Sequence, residues 1–139
     1  MQKHYYTNER NHQILIALLK AHNIHNVVAS PGTTNSVFIG SIQNDDYFNI
    51  YSSVDERSAA YIACGLAYET GEPVIISCTG ATAARNYMSG ATEAYYSKLP
   101  VLILTSSQED NRIGHLFAQV TDRTRPPKDV CKLSLRLPN

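Results

Sequence analysis

An acidic pair stands between a short apolar run and a segment rich in small residues. Asp55 and Glu56 directly follow residues 50–54, and several alanines, a cysteine and a glycine come after them. Because small residues of this kind favour a close-packed helix, the pair marks a strand–helix junction. A carboxyl group at such a junction either caps the helix or faces a ligand.

Both roles are compatible with the local pattern. Ser53-x-x-Glu56 matches the capping box, in which the serine accepts a hydrogen bond from the third helical amide and the glutamate reaches back. This pattern is short and common, so it does not exclude a second role. Val54 before the acids and the alanine-rich turn after them give Glu56 few polar side-chain neighbours. A carboxyl partly removed from water can share a proton with a ligand nitrogen.

The rest of the chain alternates helical and strand-like segments, which must position this junction. The patterns predict helices over residues 11–21, 35–43, 55–70 and 83–98, and strands over residues 25–29, 48–53, 74–78, 101–105 and 130–135. Short apolar strands alternating with helices predict a three-layer α/β/α fold with a mostly parallel central sheet. Since the chain stops soon after the last predicted strand, we expect residues 1–139 to form one domain that is incomplete at its C-terminus.

Small and polar residues follow four of the predicted strands. Open α/β sheets bind ligands at the carboxyl ends of their strands. The segments at these ends are Ser30-Pro31-Gly32-Thr33-Thr34, Ser53-Val54-Asp55-Glu56, Thr79-Gly80-Ala81-Thr82 and Thr105-Ser106-Ser107-Gln108. The sequence therefore predicts a binding rim, with carboxylates in one of its loops.

The composition argues against several classes of function. The 139 residues include 12 basic and 12 acidic side chains, and this balance does not favour a nucleic-acid or membrane-surface partner. Three cysteines and five histidines lack metal-ligand spacing, so we predict neither a metal site nor a disulfide framework. No apolar run is long enough for a membrane span, and the N-terminal residues lack the features of a signal peptide. We expect a cytoplasmic protein.

Several motifs occur together in an order and at a spacing that resemble one family. They are Val54-Asp55-Glu56-Arg57-Ser58-Ala59-Ala60, Gly65-Leu66-Ala67, Pro73-Val74, Cys78-Thr79-Gly80, Asn86-Tyr87, Glu93-Ala94-Tyr95-Tyr96 and Pro100-Val101-Leu102-Ile103-Leu104-Thr105. In combination they resemble the N-terminal pyrimidine-binding domain of thiamine-diphosphate enzymes. Within that family, the nearest resemblance is to the succinyl-enolpyruvyl-hydroxycyclohexene-carboxylate synthases of menaquinone biosynthesis. The resemblance extends from the first helix to the end of the chain.

The resemblance implies a catalytic role for Glu56. In this family the matching glutamate hydrogen-bonds the ring nitrogen N1′ of the aminopyrimidine, and proton exchange there leads to loss of the thiazolium C2 proton. Other positions are implied to lie near the cofactor: Pro31, Gly32, Thr79, Gly80 and Asn86. A helix cap or an ordinary helix surface remains the alternative for the last three.

Thr33, Thr34 and Gln119 match positions near the substrate. The menaquinone enzymes carry an arginine in the turn after the first strand, whereas Thr33-Thr34-Asn35 has no positive charge. That difference argues against the acidic substrate of the menaquinone enzymes. Gln119 has a solvated loop residue as its alternative assignment.

One motif of the family is absent. A Gly-Asp-Gly motif in a second domain of these enzymes holds Mg²⁺ and the cofactor's diphosphate, and the sequence contains no such motif. We therefore expect a diphosphate-binding domain or subunit as partner, with Mg²⁺ bound through it, because this chain lacks both the central and the diphosphate-binding domain. A homo-oligomer, either a dimer or a tetramer, is also expected.

The resemblance implies a pyrimidine-binding domain or subunit of a thiamine-diphosphate-dependent lyase or transferase. The reaction would be decarboxylation or carboligation of a 2-oxo acid, and the chain alone would show little or no turnover. A fragment of a menaquinone-pathway synthase is one alternative. A non-catalytic α/β assembly or regulatory module is an alternative from another class.

Overall fold

The computed structural model describes residues 5–106 and 110–137. Its longer elements are listed in chain order: α1 (Arg10–Ala21), β1 (Asn26–Ala29), α2 (Ser36–Ile42), β2 (Asn49–Ser52), α3 (Glu56–Thr70), β3 (Val74–Cys78), α4 (Thr82–Asn86), α5 (Met88–Tyr96) and β4 (Val101–Thr105). Two short 3₁₀ turns, Thr33–Asn35 and Asp110–Arg112, complete the described structure.

The strands form one parallel sheet. The sheet has four strands in the order β2-β1-β3-β4, and every neighbouring pair is parallel. The central strands β1 and β3 are buried along their whole length, in agreement with their near-continuous apolar sequences. All four strands therefore end at the same edge, where a ligand site is expected.

Helices cover both faces of the sheet. On one face, Ile16 and Leu19 of α1 and Phe38 and Ile42 of α2 pack with Ile75 of β3. On the opposite face, the small side chains of α3 and the ring of Tyr87 pack against Val28, Val74 and Ile76. Neighbouring residues of a strand thus belong to two separate cores, as the side-chain alternation of a strand requires. The three-layer α/β/α prediction is confirmed.

A stripe of small residues lets α3 and α5 approach closely. Ala59, Ala60, Ala63, Cys64 and Ala67 form the buried side of α3. A Cβ atom added at Gly90 of α5 would overlap Ala60, so the two backbones leave no room for a side chain there. This close packing fixes the first turn of α3 beside the α4–α5 segment.

The predicted helix over residues 83–98 is two helices. Tyr87 lies between α4 and α5, is only 1% exposed and keeps helical dihedral angles of φ −70° and ψ −18°. Because these angles remain helical, the hydrophobic period continues through the break and gives no sign of it. The break leaves the Tyr87 ring in the core under β3.

The predicted strand over residues 130–135 is wrong. These residues form a turn and an irregular segment, and the described part of the chain contains no strand that pairs with them. Leu133 and Leu135 are 70% and 74% exposed. Their alternation imitates a strand, but a strand needs a neighbour to satisfy its backbone hydrogen bonds. Over the same described residues, no helix is long and apolar enough to cross a membrane.

Candidate functional site

The loops after β1 and β3 meet at the carboxyl edge of the sheet. A Cβ atom added at Gly32 would overlap the methyl carbon of Thr79, so these two predicted residues are in direct contact across the edge. A Cβ atom added at Gly80 would lie 2.7 Å from the Ser106 carbonyl oxygen and 2.8 Å from Nη1 of Arg123. Glycine is needed at both positions because backbone and side-chain atoms approach too closely for any larger residue.

Asn35 fastens the loop after β1 to the sheet. Its side chain is 3% exposed, and its Oδ1 accepts a hydrogen bond from the Gly32 amide at 2.9 Å. Its Nδ2 donates to the Ser30 carbonyl oxygen and to Ser77 Oγ, both at 3.2 Å. These bonds hold the Pro31-Gly32 turn in place. In the sequence, Asn35 stands out only for its lack of charge, and nothing there indicates this structural role.

The capping-box prediction for Ser53 and Glu56 is wrong. Helix α3 begins at Glu56, so Asp55 occupies the N-cap position, and its Oδ1 accepts a hydrogen bond from the Ser58 amide at 2.8 Å. That hydrogen bond holds the pKa of Asp55 below its ordinary value. Ser53 Oγ instead donates to the Asp55 carbonyl oxygen at 3.1 Å. Glu56 is the first helical residue and takes no part in the cap.

The carboxylate of Glu56 is held by Asn86. Asn86 Nδ2 donates to Glu56 Oε2 at 3.0 Å, which joins the first turn of α3 to the last residue of α4. Two residues predicted for the site from separate motifs are thus brought together. An amide that donates to one carboxylate oxygen orients the group and leaves it able to accept a further hydrogen bond.

Buried polar groups also lie at this edge of the sheet. The Tyr87 hydroxyl and Ser30 Oγ are buried, and neither makes a hydrogen bond of ordinary geometry within residues 5–106 and 110–137. Tyr87 lies beside Cys78 and Ser30, and burial raises its pKa above the ordinary value. Burial also raises the pKa of Cys78 to about 11, and the negative charge of Glu56 adds to this increase. The carboxylate therefore lies within electrostatic reach of both groups.

The loop after β3 contains a strained residue. Ala81, which precedes α4, has φ 56° and ψ −124°, and its side chain cannot cap the helix. A non-glycine residue in this sparsely populated region costs about 1–3 kcal/mol, and such residues cluster at functional sites. The strain accompanies the close approach of Thr79 and Gly80 to their neighbours.

Arg123 also reaches this edge, from a distant part of the chain. Its Nη1 faces Gly80, and its Nε and Nη1 are buried without a hydrogen-bond partner in the described residues. Arg123 was not among the residues predicted for the site. No local signal could have found it, because its position depends on how residues 110–137 fold back over the sheet.

Other predicted residues lie apart from the Glu56–Asn86 pair. Thr33 and Thr34 are exposed in the 3₁₀ turn, and Pro31 is exposed beside them. Gln119 is exposed with φ 60°, and over the described residues no hydrogen bond links it to Glu56. Ser107 and Gln108 lie outside the described residues. The described part of the chain holds no cluster of three or more His, Cys, Asp or Glu that could bind a metal ion.

Comparison with known sequences identifies the family. Residues 10–125 match the family described as thiamine pyrophosphate enzyme, N-terminal TPP binding domain. The chain belongs to this family. The predicted resemblance is therefore confirmed, and the loops described above form one edge of a TPP-binding domain.

Individual relatives of this TPP-binding domain are much longer. A 2-succinyl-5-enolpyruvyl-6-hydroxy-3-cyclohexene-1-carboxylate synthase from Bacteroides thetaiotaomicron is 34% identical over 133 residues, covering 96% of this chain and 24% of the relative. A synthase of the same name from Christiangramia forsetii is 40% identical over 99 residues, covering 71% of this chain and 17% of the relative. The chain thus spans at most about a quarter of the length of these relatives.

The fold agrees with the family. The crystal structure of benzoylformate decarboxylase from Polynucleobacter necessarius superimposes with a TM-score of 0.77 at 26% identity, covering 89% of this chain and 23% of that chain. The TPP-binding domain and this decarboxylase therefore share the α/β architecture that places the loops of the rim.

Proposed function

We propose that this domain binds the aminopyrimidine ring of thiamine diphosphate at the carboxyl edge of its sheet, as part of a lyase or transferase acting on a 2-oxo acid. The observation that carries the proposal is the Glu56 carboxylate, which stands free of the helix cap and is held by Asn86 at 3.0 Å. A carboxylate in this position can exchange a proton with a ring nitrogen.

The neighbouring residues fit a flat, polar heterocycle. Gly32 and Gly80 let the loops after β1 and β3 pack closely, because an added Cβ atom would overlap Thr79 at the first position and Ser106 and Arg123 at the second. The hydroxyls of Tyr87 and Ser30 are buried beside one another, and neither makes a hydrogen bond of ordinary geometry in the described residues. Buried polar groups are normally satisfied, so unpaired hydroxyls in one place favour a polar ligand. Pro31 and Thr79 would border the ring, and Thr33, Thr34 and Gln119 would lie towards the substrate.

These positions give the cofactor and the protein residues different roles in the reaction. Thiamine diphosphate, when bound, supplies the carbanion-stabilising chemistry that 2-oxo acids require for decarboxylation or carboligation. Glu56 holds and moves a proton at the pyrimidine nitrogen, and Asn86 orients the carboxylate for that transfer. The close contact of Gly32 with Thr79 helps to exclude water from this side of the site.

The diphosphate is assigned to another domain or subunit. Neither a Gly-Asp-Gly motif in the sequence nor a metal-binding cluster in the described residues is available for Mg²⁺. The alignment with longer relatives, of which this chain covers 24%, supports a partner domain, and we assign Mg²⁺ and the diphosphate to that domain. A homo-oligomer in the cytoplasm is part of the same proposal.

The menaquinone-pathway synthase is the second candidate. The 34% identity to a synthase from Bacteroides thetaiotaomicron favours it. The uncharged turn Thr33-Thr34-Asn35 argues against it, because that turn offers no cation for an acidic substrate. A non-catalytic assembly module is the remaining alternative, and it would not require an oriented Glu56.

The test is Glu56→Gln in the complete protein or assembly that contains this chain. Loss of the proton-transferring group should lower kcat on 2-oxo acids by about 10²- to 10⁴-fold, while the fold stays intact. Glu72→Gln, at the opposite end of the sheet, is the matched control and should keep normal activity. An unchanged rate in Glu56→Gln would reject the catalytic proposal and favour the non-catalytic module. Calorimetry of thiamine diphosphate binding in the presence of Mg²⁺ tests the cofactor assignment separately.

A further inference from the structure

Arg123 is a partly buried cation with unused donors. Its Nε and Nη1 are shielded from solvent, and within residues 5–106 and 110–137 neither atom has a hydrogen-bond partner. Nη1 lies against Gly80, where an added Cβ atom would be 2.8 Å away. The guanidinium thus lies over the loop that follows β3.

Shielding these charged donors from water costs free energy unless a ligand accepts hydrogen bonds from them. Burial lowers the pKa of Arg123 from its ordinary value, but a guanidinium remains protonated at neutral pH. A buried charged group needs an opposite charge or hydrogen-bond acceptors to offset its lost hydration. The two unpaired N–H groups lie on different edges of the planar guanidinium, and each can donate a charge-assisted hydrogen bond to an anion such as a carboxylate.

The segment that carries Arg123 is tied in place by its neighbours. Arg85 of α4 donates to the Asp122 carbonyl oxygen at 3.2 Å. Asp122 Oδ1 accepts hydrogen bonds from the Thr124 amide at 2.9 Å and from its hydroxyl at 2.7 Å. The residues on both sides of Arg123 are therefore bonded, while part of its own fork is not. This contrast favours a binding role over a structural one.

Arg123 and Glu56 lie on the same part of the rim. Neighbouring residues of α4 hold both segments, since Asn86 donates to Glu56 and Arg85 donates to the Asp122 carbonyl oxygen. Both charges also change the pKa of Cys78, Glu56 raising it and Arg123 lowering it. An acidic proton-transfer group and an anion-binding group thus share one edge of the sheet. A 2-oxo acid needs both, because its carbonyl must meet the cofactor while its carboxylate is held.

We propose that Arg123 binds the carboxylate of the 2-oxo acid substrate and so replaces the charge that the turn Thr33-Thr34-Asn35 lacks. The inference rests on the proposed function for its substrate class. Arg123 is a substrate-binding residue and takes no proton. The diphosphate of the cofactor, which we assign to another domain, is not its ligand.

The experiment uses the complete protein loaded with thiamine diphosphate and Mg²⁺. Pyruvate, 2-oxoglutarate and benzoylformate serve as probes that share a 2-oxo acid group and differ in their remaining substituent. Because the active protein would consume these acids, calorimetry is done in a Glu56→Gln background, with and without Arg123→Gln, and gives the dissociation constant of each acid. Removing the charged hydrogen bonds should weaken the best-bound acid by about 10- to 100-fold. The affinity for thiamine diphosphate should stay unchanged.

Arg125→Gln is the matched control, because it removes the same charge from an exposed position two residues away. It should bind the acids normally. Arg123→Lys keeps the charge and loses the planar fork, so its affinity for the acids should lie between those of Arg123→Gln and Arg125→Gln. It also tests the inference if Arg123→Gln does not fold. Added guanidinium chloride should partly restore acid binding to Arg123→Gln, an effect that a purely structural arginine would not show.

Three results would overturn the inference. The acid affinity of Arg123→Gln could be unchanged, its affinity for thiamine diphosphate could fall instead, or none of the three acids could bind the Glu56→Gln protein that retains Arg123. Failure of the proposed function is a separate result, since it would appear as missing cofactor binding or as full activity in Glu56→Gln. Acid titrations without cofactor would still decide whether Arg123 binds a carboxylate.

Discussion

Polar side chains at the two ends of the central strands differ in whether they have hydrogen-bond partners. At the amino end, Asn26 Nδ2 donates to Glu72 Oε2 at 3.1 Å, and Asn49 Nδ2 donates to Asn26 Oδ1 at 3.1 Å. His25 Nε2 lies 3.3 Å from the same Glu72 oxygen. At the carboxyl end, Tyr87, Ser30 and Arg123 keep buried polar atoms without partners in the described residues.

Under the proposed function, this difference separates structural polar groups from groups that bind a ligand. The amino end is closed by bonds within the chain, so its polar residues contribute to stability alone. The carboxyl end carries unpaired donors, a strained Ala81 and an oriented carboxylate. Proteins tolerate such unfavourable features where function requires them. Substitutions at the two ends should therefore change different quantities.

Asn86→Ala should give the largest effect in this comparison. Without the 3.0 Å bond from Asn86, the Glu56 carboxylate loses its orientation. A hydrogen bond to a charged group is worth about 1.5–3 kcal/mol, so kcat of the complete protein should fall by about 10- to 100-fold. Asn49→Ala, at the amino end, is the control and should keep its activity. Equal losses in the two variants would contradict the assignment of function to one end.

Gly32→Ala should destabilise the carboxyl end through one identifiable contact. The new methyl group would overlap the Thr79 methyl group, and overpacking of this kind costs about 1–3 kcal/mol. Thr79→Ser removes that methyl group and keeps the hydroxyl, so the double variant should regain much of the lost stability. Urea unfolding of the four proteins in the cycle measures this coupling. Strictly additive changes would show that the two loops do not meet as described.

Asn26→Ala and Tyr87→Phe compare the two ends directly. Asn26 is 4% exposed and bonded on both sides, so its loss should reduce the free energy of unfolding by about 1 kcal/mol. Tyr87→Phe removes a hydroxyl that lies beside Ser30 and Cys78 without a hydrogen bond of ordinary geometry in the described residues, so stability should fall by less than in Asn26→Ala. Thermal unfolding of both variants provides the measurement. A loss in Tyr87→Phe as large as that in Asn26→Ala would mean that the hydroxyl has a structural partner.

Asp55→Ala should give the smallest effect, confined to the start of α3. The hydrogen bond from the Ser58 amide lowers the pKa of Asp55 in the folded state. A depressed pKa means that the cap stabilises the fold above the ordinary pKa of 3.8 and that this contribution is lost as the pH falls through the folded value. The variant should therefore be less stable at pH 7, and the difference should vanish in strong acid. A difference that persists unchanged at low pH would contradict the cap.

Much of the fold could be predicted because short-range patterns determine it. The bounds of β3 and β4 agree with the prediction, since a continuous apolar run set off by Pro73 or Pro100 leaves little choice. The start of α3 was placed within one residue. The N-cap was less well predicted: it is Asp55, two residues after Ser53, because capping depends on which amide is first left without a partner.

The candidate site was predicted only where its residues lie in recognisable motifs. Glu56 and Asn86 come from such motifs, but their contact depends on the packing of α3 against α5. Ser30, Tyr87 and Arg123 are far apart in the sequence, so no local spacing indicates that they share an edge. The alternation at Leu133 and Leu135 led instead to a strand prediction that is wrong. A period of two does not show whether a neighbouring strand is available for pairing, and both side chains are exposed.

The most direct test of the account is a crystal structure of the complete protein with thiamine diphosphate and Mg²⁺. The account predicts that a Glu56 carboxylate oxygen lies about 2.6–3.2 Å from N1′ of the aminopyrimidine, with Asn86 still bonded to the other side of the group. A pyrimidine ring bound elsewhere, with Glu56 facing solvent, would contradict it.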